Sequence, residues 1–446
     1  MKYEIICVLT LLMMSILSEN SDEWPMYQHD PQHSGQSPFQ IPDSLQREWV
    51  NRSSTAFETG LSHLAVSGNK VIVTRGESLS ALDSTTGSVL WELVPIPMYE
   101  SHPAISNEKI YINTNGRFIC VDSISGKIFW EHRVGNLSFY SYPIVVDNYV
   151  IVGGGLPISD TIPILPEDVD DSVREEILNT LITARKNGHK MKCFDAETGA
   201  VIWEYYLYDY VTASPAYFEG NVYINDDRRV HCVSLETGNL NWMKELEEDT
   251  NFSLTLDEER IYIKTRYGIT CLDIHRGTLL WKYACEDVIE TPSVKENTIF
   301  FPTFSGKIIC LNASDGSLLW EKEYDSRITS GIVIGNKDKI AFGTYEGILN
   351  IVDARSGEII DTHVVDHSIL SLALAEKHLF VSDSRGNVYC LTGSGPEKND
   401  TEKLNEGNIS TDSNNNLLDN LLVQFLFISF IFLIMILFFL KIKNIS

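Results

Sequence analysis

Positive charge is scarce in this chain: 35 Lys and Arg residues stand against 61 Asp and Glu, a formal net charge of −26 over 446 residues. A nucleic-acid partner needs clustered cations to neutralise phosphates, and no basic run of that kind occurs, so nucleic acid is set aside. Also missing are a glycine-rich phosphate loop, a Cys-x-x-Cys pair and any Ser-His-Asp arrangement, which leaves nucleotide, zinc and hydrolase readings without support. Disorder is excluded for the body of the chain, because 43% of residues are hydrophobic and can fill a sizeable core.

Long apolar runs are confined to the two ends. Lys2 is followed by an apolar stretch from Ile5 to Leu17, too short to span a bilayer and suited to the h-region of a secretory signal over about residues 1–20. Residues 421–440, LLVQFLFISFIFLIMILFFL, are broken only by Gln424 and Ser429. Twenty helical residues span about 30 Å, the thickness of the hydrocarbon layer, so a C-terminal transmembrane helix is expected there. Lys441 and Lys443 follow, which predicts a short cytoplasmic tail at 441–446 and a body on the outer side. Residues 393–420 have almost no apolar content and read as a flexible polar stalk. Asn-x-Ser/Thr triplets at Asn51, Asn136, Asn251, Asn312, Asn399 and Asn408 make glycosylation possible in an exported chain.

What fills the body is a repeat. The phrase CFDAETGAVIW, with Asp195, Gly199 and Trp203, returns as ALDSTTGSVLW (Gly87, Trp91), CVDSISGKIFW (Gly126, Trp130), CVSLETGNLNW (Gly238, Trp242), CLDIHRGTLLW (Gly277, Trp281) and CLNASDGSLLW (Gly316, Trp320). A further copy keeps Asp353 and Gly357 but has Asp361 where tryptophan is expected. The tryptophans step by 39 residues, apart from one step of 73 between Trp130 and Trp203 that holds an insertion of 34. A period near 40 signals a repeat architecture. Residues 101–133 read as four short strands, HPAIS, KIYIN, RFICV and KIFWE, bounded by turn residues. Four strands per unit is a propeller blade.

The repeated residues then take physical roles. The Asp opens the turn between third and fourth strands and bonds backbone N–H groups ahead of it. The Gly supplies positive φ. The Trp, on the outermost strand, packs between neighbouring blades, where truncation to Ala costs about 3–5 kcal/mol. Trp49 in SLQREWVNRSS precedes any full repeat, while the last copy, near Cys390, lacks a fourth strand. An N-terminal strand that completes the last blade closes the ring and removes the sheet edge. Third strands at Leu82, Val121, Phe194, Val233, Leu272, Leu311, Val352 and Leu391 give eight blades. Cys120, Cys193, Cys232, Cys271, Cys310 and Cys390 share one strand position on different blades, about 10 Å apart, so they are expected as buried free thiols. The fold expected is all-β: an eight-bladed β-propeller of four-stranded antiparallel blades at 24–392, with one helical insertion in blade three and the C-terminal transmembrane helix.

The phased Leu-Asp-x-x-Thr-Gly-x-x-x-Trp phrase resembles the pyrroloquinoline-quinone-type propeller repeat, and WPMYQHDPQHSG at Trp24–Gly35 is similar to the lead-in of bacterial and archaeal members. The resemblance covers about residues 24–392. It implies either a quinoprotein dehydrogenase or a non-catalytic scaffold, such as the propeller lipoprotein of outer-membrane assembly. The enzymatic members hold the quinone between a tryptophan and a ring formed by two adjacent cysteines, and bind Ca²⁺ through Glu, Asn and Asp, with another Asp as base. This sequence has no adjacent cysteine pair and no match to the calcium set. The expectation is therefore a non-catalytic binding or assembly module without cofactor or metal, with the PQQ- and calcium-dependent dehydrogenase as the alternative. Anchor, sequons and lead-in together suggest an archaeal or similar prokaryotic surface protein.

Three local features compete for a site. His29, Asp30 and His33 invite a metal, but Pro31 argues against the helix that would align the histidines, and a segment draped over the ring with Trp24 pinned in a groove fits better. The insertion, roughly Leu156 to Lys190, carries a Ser172/Glu175 capping box and a Val173, Ile177, Leu178, Leu181, Ile182 stripe of helical spacing, ended by Gly188. Beside it lie Tyr140, Tyr142, Tyr205, Tyr206, Tyr208 and Tyr210, the candidate partner-binding patch, since tyrosine is enriched at recognition surfaces. EEDT at 247–250 and DDRR at 226–229 read as solvated turns.

Overall fold

The computed structural model describes residues 24–53, 62–94, 101–114, 116–133, 141–154, 189–208, 211, 213–250 and 252–393. The expected signal, helical insertion, stalk and membrane span lie outside these residues, apart from His189 and Lys190 at the insertion's edge and Gly393 at the start of the stalk. Among the described residues no helix is long and apolar enough to cross a membrane.

Strands β1 to β32, numbered in chain order, form eight antiparallel four-stranded sheets. Blade 2 shows the plan: β6 (Ala104–Ser106), β7 (Lys109–Thr114), β8 (Arg117–Asp122) and β9 (Ile128–Arg133) pair in chain order from hub to rim. The two middle strands are apolar at successive positions because both their faces are covered by neighbouring blades. Ile110, Ile112, Ile119 and Val121 pack with Ala65, Ile72 and Ala81 of blade 1 in one buried cluster. The rim strand β9 alternates between half-buried and exposed. Where the third and fourth strands meet, the register slips by one residue opposite the repeated cysteine position, as at Cys120/Val121, so each rim strand carries a bulge.

The ring closes with strands from both ends of the chain. β1 (Leu45–Asn51) pairs antiparallel with β32 (Val388–Gly393), which continues through β31 (His378–Asp383) to β30 (Ile369–Ala375). Trp49 faces Cys390, as Trp130 faces Cys120 in blade 2.

Each tryptophan reaches the next blade. A Cβ built on Gly87 would lie 2.4 Å from the Trp49 ring, and Gly126, Gly199, Gly238, Gly277, Gly316 and Gly357 stand in the same relation to Trp91, Trp130, Trp203, Trp242, Trp281 and Trp320. The glycine thus serves the turn, with φ near +70°, and leaves the slot that the indole fills. The indole N–H closes the joint by donating to a carbonyl of that same turn: Trp49 to Ser84, Trp130 to Ala196, Trp281 to Ala313. The cysteines Cys120, Cys193, Cys232, Cys271, Cys310 and Cys390 are free and buried, and Cys285, outside the repeat, is free and half-buried.

Candidate functional site

The lead-in crosses one face of the ring at the C-terminal ends of the innermost strands. Trp24 is buried and pairs with Val66. The carbonyls of Pro25, Pro31, Gln32, Ser34 and Gly35 then accept from Ile105, Tyr217, Leu256, Val294 and Ile334 in turn. Six blades thus hold one strap. His29 packs on Trp24 while His33 turns into the hub, where its Nδ1 bonds the Leu254 carbonyl at 2.8 Å. The two histidines do not converge on a metal.

Above this strap the hub narrows to a ring made by one equivalent position in each blade: His63, His102, Tyr142, Ser214, Ser253, Thr291, Gly331 and Ser371. All are polar or glycine, because the innermost strands face the channel rather than another blade. His63 and His102 pack as a tilted pair with centroids 3.8 Å apart, and Tyr27 of the strap meets His33, His102 and Tyr142 at 5.2, 5.1 and 4.9 Å. The small hydroxyl residues opposite leave the space these rings occupy. Gln28 Nε2 donates to the Thr291 carbonyl.

Burial sets the electrostatics of this hub. Desolvation pulls His33 and His63 down to about 4 and also holds His102 well below its ordinary value, with His63 and His33 adding repulsion at His102, so all three imidazoles are neutral at pH 7. Burial likewise raises Glu290, whose carboxyl meets the Tyr27 hydroxyl, while Lys264 nearby opposes that rise. Lys264 itself is lowered to about 8 by its own desolvation. Both ring nitrogens of His63, Nδ1 of His102, Nε2 of His33 and Oε1 of Gln28 have no hydrogen-bond partner among the described residues. Such a convergence of unpaired acceptors and donors holds water or a small polar ligand. Calcium does not fit it: that ion takes six to eight oxygen ligands, and the hub presents imidazoles with Glu290 as its carboxylate.

At the opposite mouth from the strap, a set of exposed aromatic rings follows blades 3 to 7. Tyr206 and Tyr208 stand at and after the end of β13 (Val201–Tyr206), Phe252 before β18 (Leu254–Leu256), and Tyr267, Phe304 and Tyr345 at the second-to-third-strand turns of blades 5, 6 and 7. Their exposures run from 40% for Phe252 to 57% for Phe304, high for side chains of this size. Each is held by a cation: Lys190 over Tyr206, Arg229 over Tyr208, Lys264 over Phe252 and Arg266 over Tyr267. Arg327 lies between Phe304 and Tyr345, 4.8 and 4.7 Å from their centroids. The strap face differs: a cavity of 880 Å³ beside the strap is lined by Asp30, Asp257, Glu258, Glu259 and Glu296, with Arg260 paired to Asp257 and Glu259 among them.

The tyrosine patch expected from sequence is divided by the fold. Tyr206 and Tyr208 lie on the aromatic face. Tyr142 points into the hub ring. Tyr205 turns inward, its hydroxyl 2.9 Å from His231 Nδ1, and Tyr140 and Tyr210 lie outside the described residues. The reading of 226–229 as a solvated turn is corrected at its first residue: Asp226 is fully buried, 3.3 Å from buried His231, and accepts from the Tyr208 backbone N–H. That carboxylate orients the tyrosine above it. Of the sequons, Asn51 is engaged, its amide donating to the Gly87 carbonyl and accepting from Arg75, and Asn312 heads its turn and accepts from Ser314. Asn136, Asn251, Asn399 and Asn408 lie outside the described residues.

A family model described as outer membrane protein assembly factor BamB matches residues 75–159 and 187–395, more than half of the chain. The chain belongs to this family. The BamB match skips residues 160–186, within the expected helical insertion, and covers the blades that carry most of the aromatic face. No curated protein sequence matches. Among solved structures, BamB from Moraxella catarrhalis is 16% identical, with 78% of this chain and 97% of that chain covered at a TM-score of 0.59. The quinohemoprotein alcohol dehydrogenase from Comamonas testosteroni is 13% identical, covering 86% and 83% at 0.65. A europium-containing methanol dehydrogenase is 13% identical, covering 85% and 99% at 0.65. At these identities the likeness is one of fold.

Proposed function

We propose that this propeller is a non-catalytic protein-binding scaffold that engages its partner through the aromatic face over blades 3 to 7. The observation that carries this reading is the arc itself: exposed rings on successive blades, each backed by Lys or Arg, on the face opposite the strap. Aromatic residues and arginine are the residue types enriched in interface cores and hot spots. Their cations suit a partner segment that presents carboxylates beside apolar side chains, and within a chain of net charge −26 they mark this face out. Family membership supports an assembly role, as the family's description carries that word. In this reading the apolar stretch at 421–440 anchors the propeller on the outer side of a membrane, with the aromatic face free to meet other surface proteins.

The test is photo-crosslinking in the native membrane from a probe placed at Tyr345, compared with one at Leu319 on the outer rim. A discrete adduct from position 345 and none from 319 is expected; equal, diffuse labelling from both removes the reading. The dehydrogenase alternative is tested on the same protein by melting it with pyrroloquinoline quinone and Ca²⁺. A ligand at 100 times its Kd would stabilise the fold by about 2.7 kcal/mol. No shift is expected.

A further inference from the structure

We propose that the ring closure of blade 8 carries a site for a zinc-class divalent cation, built by Glu48, His378 and Cys390. Each ligand comes from a different strand: Glu48 from β1, His378 from β31 and Cys390 from β32. The Glu48 carboxylate lies 3.2 Å from His378 Nε2 and 3.9 Å from Cys390 Sγ, and the three donor atoms fall within 4.8 Å of one another. Ligands of a tetrahedral zinc ion with N, O and S donors stand roughly 3.3 to 3.6 Å apart, so small side-chain adjustments bring all three into range. Mixed thiolate, imidazole and carboxylate donors select zinc and its neighbours over calcium or magnesium. Three protein ligands leave a fourth position open to water.

The repeat shows that this convergence is particular to blade 8. The rim-strand bulge places one residue beside the thiol position of each blade. That residue is Leu90, Phe129, Ile202, Asn241, Leu280, Leu319 and Ile360 in blades 1 to 7, and Glu48 in blade 8. At the position of His378 the other blades have Lys, Arg, Tyr, Asn or Thr. Only the blade stitched from the two ends of the propeller combines a carboxylate, an imidazole and a thiol. Cys390 is buried and the His378 side chain is 12% exposed, while Glu48 at 36% opens the site to the rim. A metal held there ties β1 to β31 and β32, and so locks the ring shut.

The experiment uses the full-length chain after chelator treatment, titrated with Co²⁺ as a spectroscopic probe. One equivalent is expected to give a thiolate-to-cobalt band in the near ultraviolet with four-coordinate visible bands, and Zn²⁺ to displace it. Cys390→Ala should abolish the near-ultraviolet band and remain folded, because blade 1 has Ala81 at the same strand position. Glu48→Gln and His378→Ala should each weaken cobalt binding at least tenfold, while Cys310→Ala should leave it unchanged. Zn²⁺ should raise the melting temperature of the unsubstituted protein and not of Cys390→Ala. A folded protein that shows no thiolate band at saturating Co²⁺, or a band that survives Cys390→Ala, overturns the proposal.

Discussion

The turn glycines show how one residue can serve two constraints. Gly199 has φ +70°, and an added Cβ would lie 2.5 Å from the Trp130 ring. Gly68 also has positive φ, at +55°, yet nothing lies within 4 Å of its Cβ position. A left-handed L-residue costs roughly 1–2 kcal/mol, and overpacking adds about 1–3 kcal/mol. Gly199→Ala should therefore destabilise by about 2–5 kcal/mol and Gly68→Ala by about 1–2 kcal/mol. Urea unfolding midpoints check this, and equal losses would show that the indole slot contributes nothing. The positive φ was legible in the phrase ETG between strands. The slot was not, because the indole that fills it comes from the preceding blade.

At the level of the strand, the missing tryptophan at Asp361 follows from ring closure. A rim tryptophan needs the turn glycine of the next blade, and blade 8 has no such turn because its fourth strand is β1, from the other end of the propeller. The position is free, and Asp361 instead accepts from the Leu45 backbone N–H at 2.9 Å, fixing the start of β1. Asp361→Trp should not restore a joint. It should lower stability by about 1 kcal/mol or more through the lost hydrogen bond, read by denaturant unfolding. A stabilised Asp361→Trp variant would show that blade 8 offers a slot after all. The exception in the repeat was visible in sequence, and so was the unpaired strand around Trp49. That the two are one feature needed the register of β1 on β32.

The hub is a property of the whole ring, because each blade contributes one residue to it. His33, His63 and His102 are neutral in the folded state with pKa values far below the unfolded 6.5. As pH falls from about 6.5 towards 4, the unfolded chain takes up protons that the native hub refuses, so their contribution to stability is complete above 6.5 and is lost on acidification. A tenfold difference in proton affinity between folded and unfolded chain corresponds to about 1.4 kcal/mol, so acidification towards pH 4 costs several kcal/mol at His33 and His63 alone. Glu290, raised by burial, has the opposite sign: the native state keeps its proton longer as pH rises. It is present in both proteins when His63→Gln/His102→Gln is compared with the parent. The melting temperature of the parent should fall between pH 7 and pH 5, and that of the double variant should fall less. Parallel profiles would show that these imidazoles titrate alike in the folded and unfolded chain.

The sequence by itself determined the architecture, since a period of 39 residues carrying four strands and a fixed Asp, Gly and Trp permits little but a propeller. Local chemistry repeated at that spacing is enough to specify turns, strand order and the number of blades. Tertiary structure alone decided the surfaces. His63 and His102 lie 39 residues apart, Ser214 and Thr291 farther along, and only ring closure sets them around one channel. A trace existed in SHLAVS, SHPAIS and SYPIVV, which carry His, His and Tyr at the same second position, just before an apolar stretch. Tyr205 and Tyr206 are neighbours in sequence, yet one is drawn inward to His231 and the other is left on the face. Alternation along a strand fixes that they point apart; which side is solvent depends on the blade packed beside it.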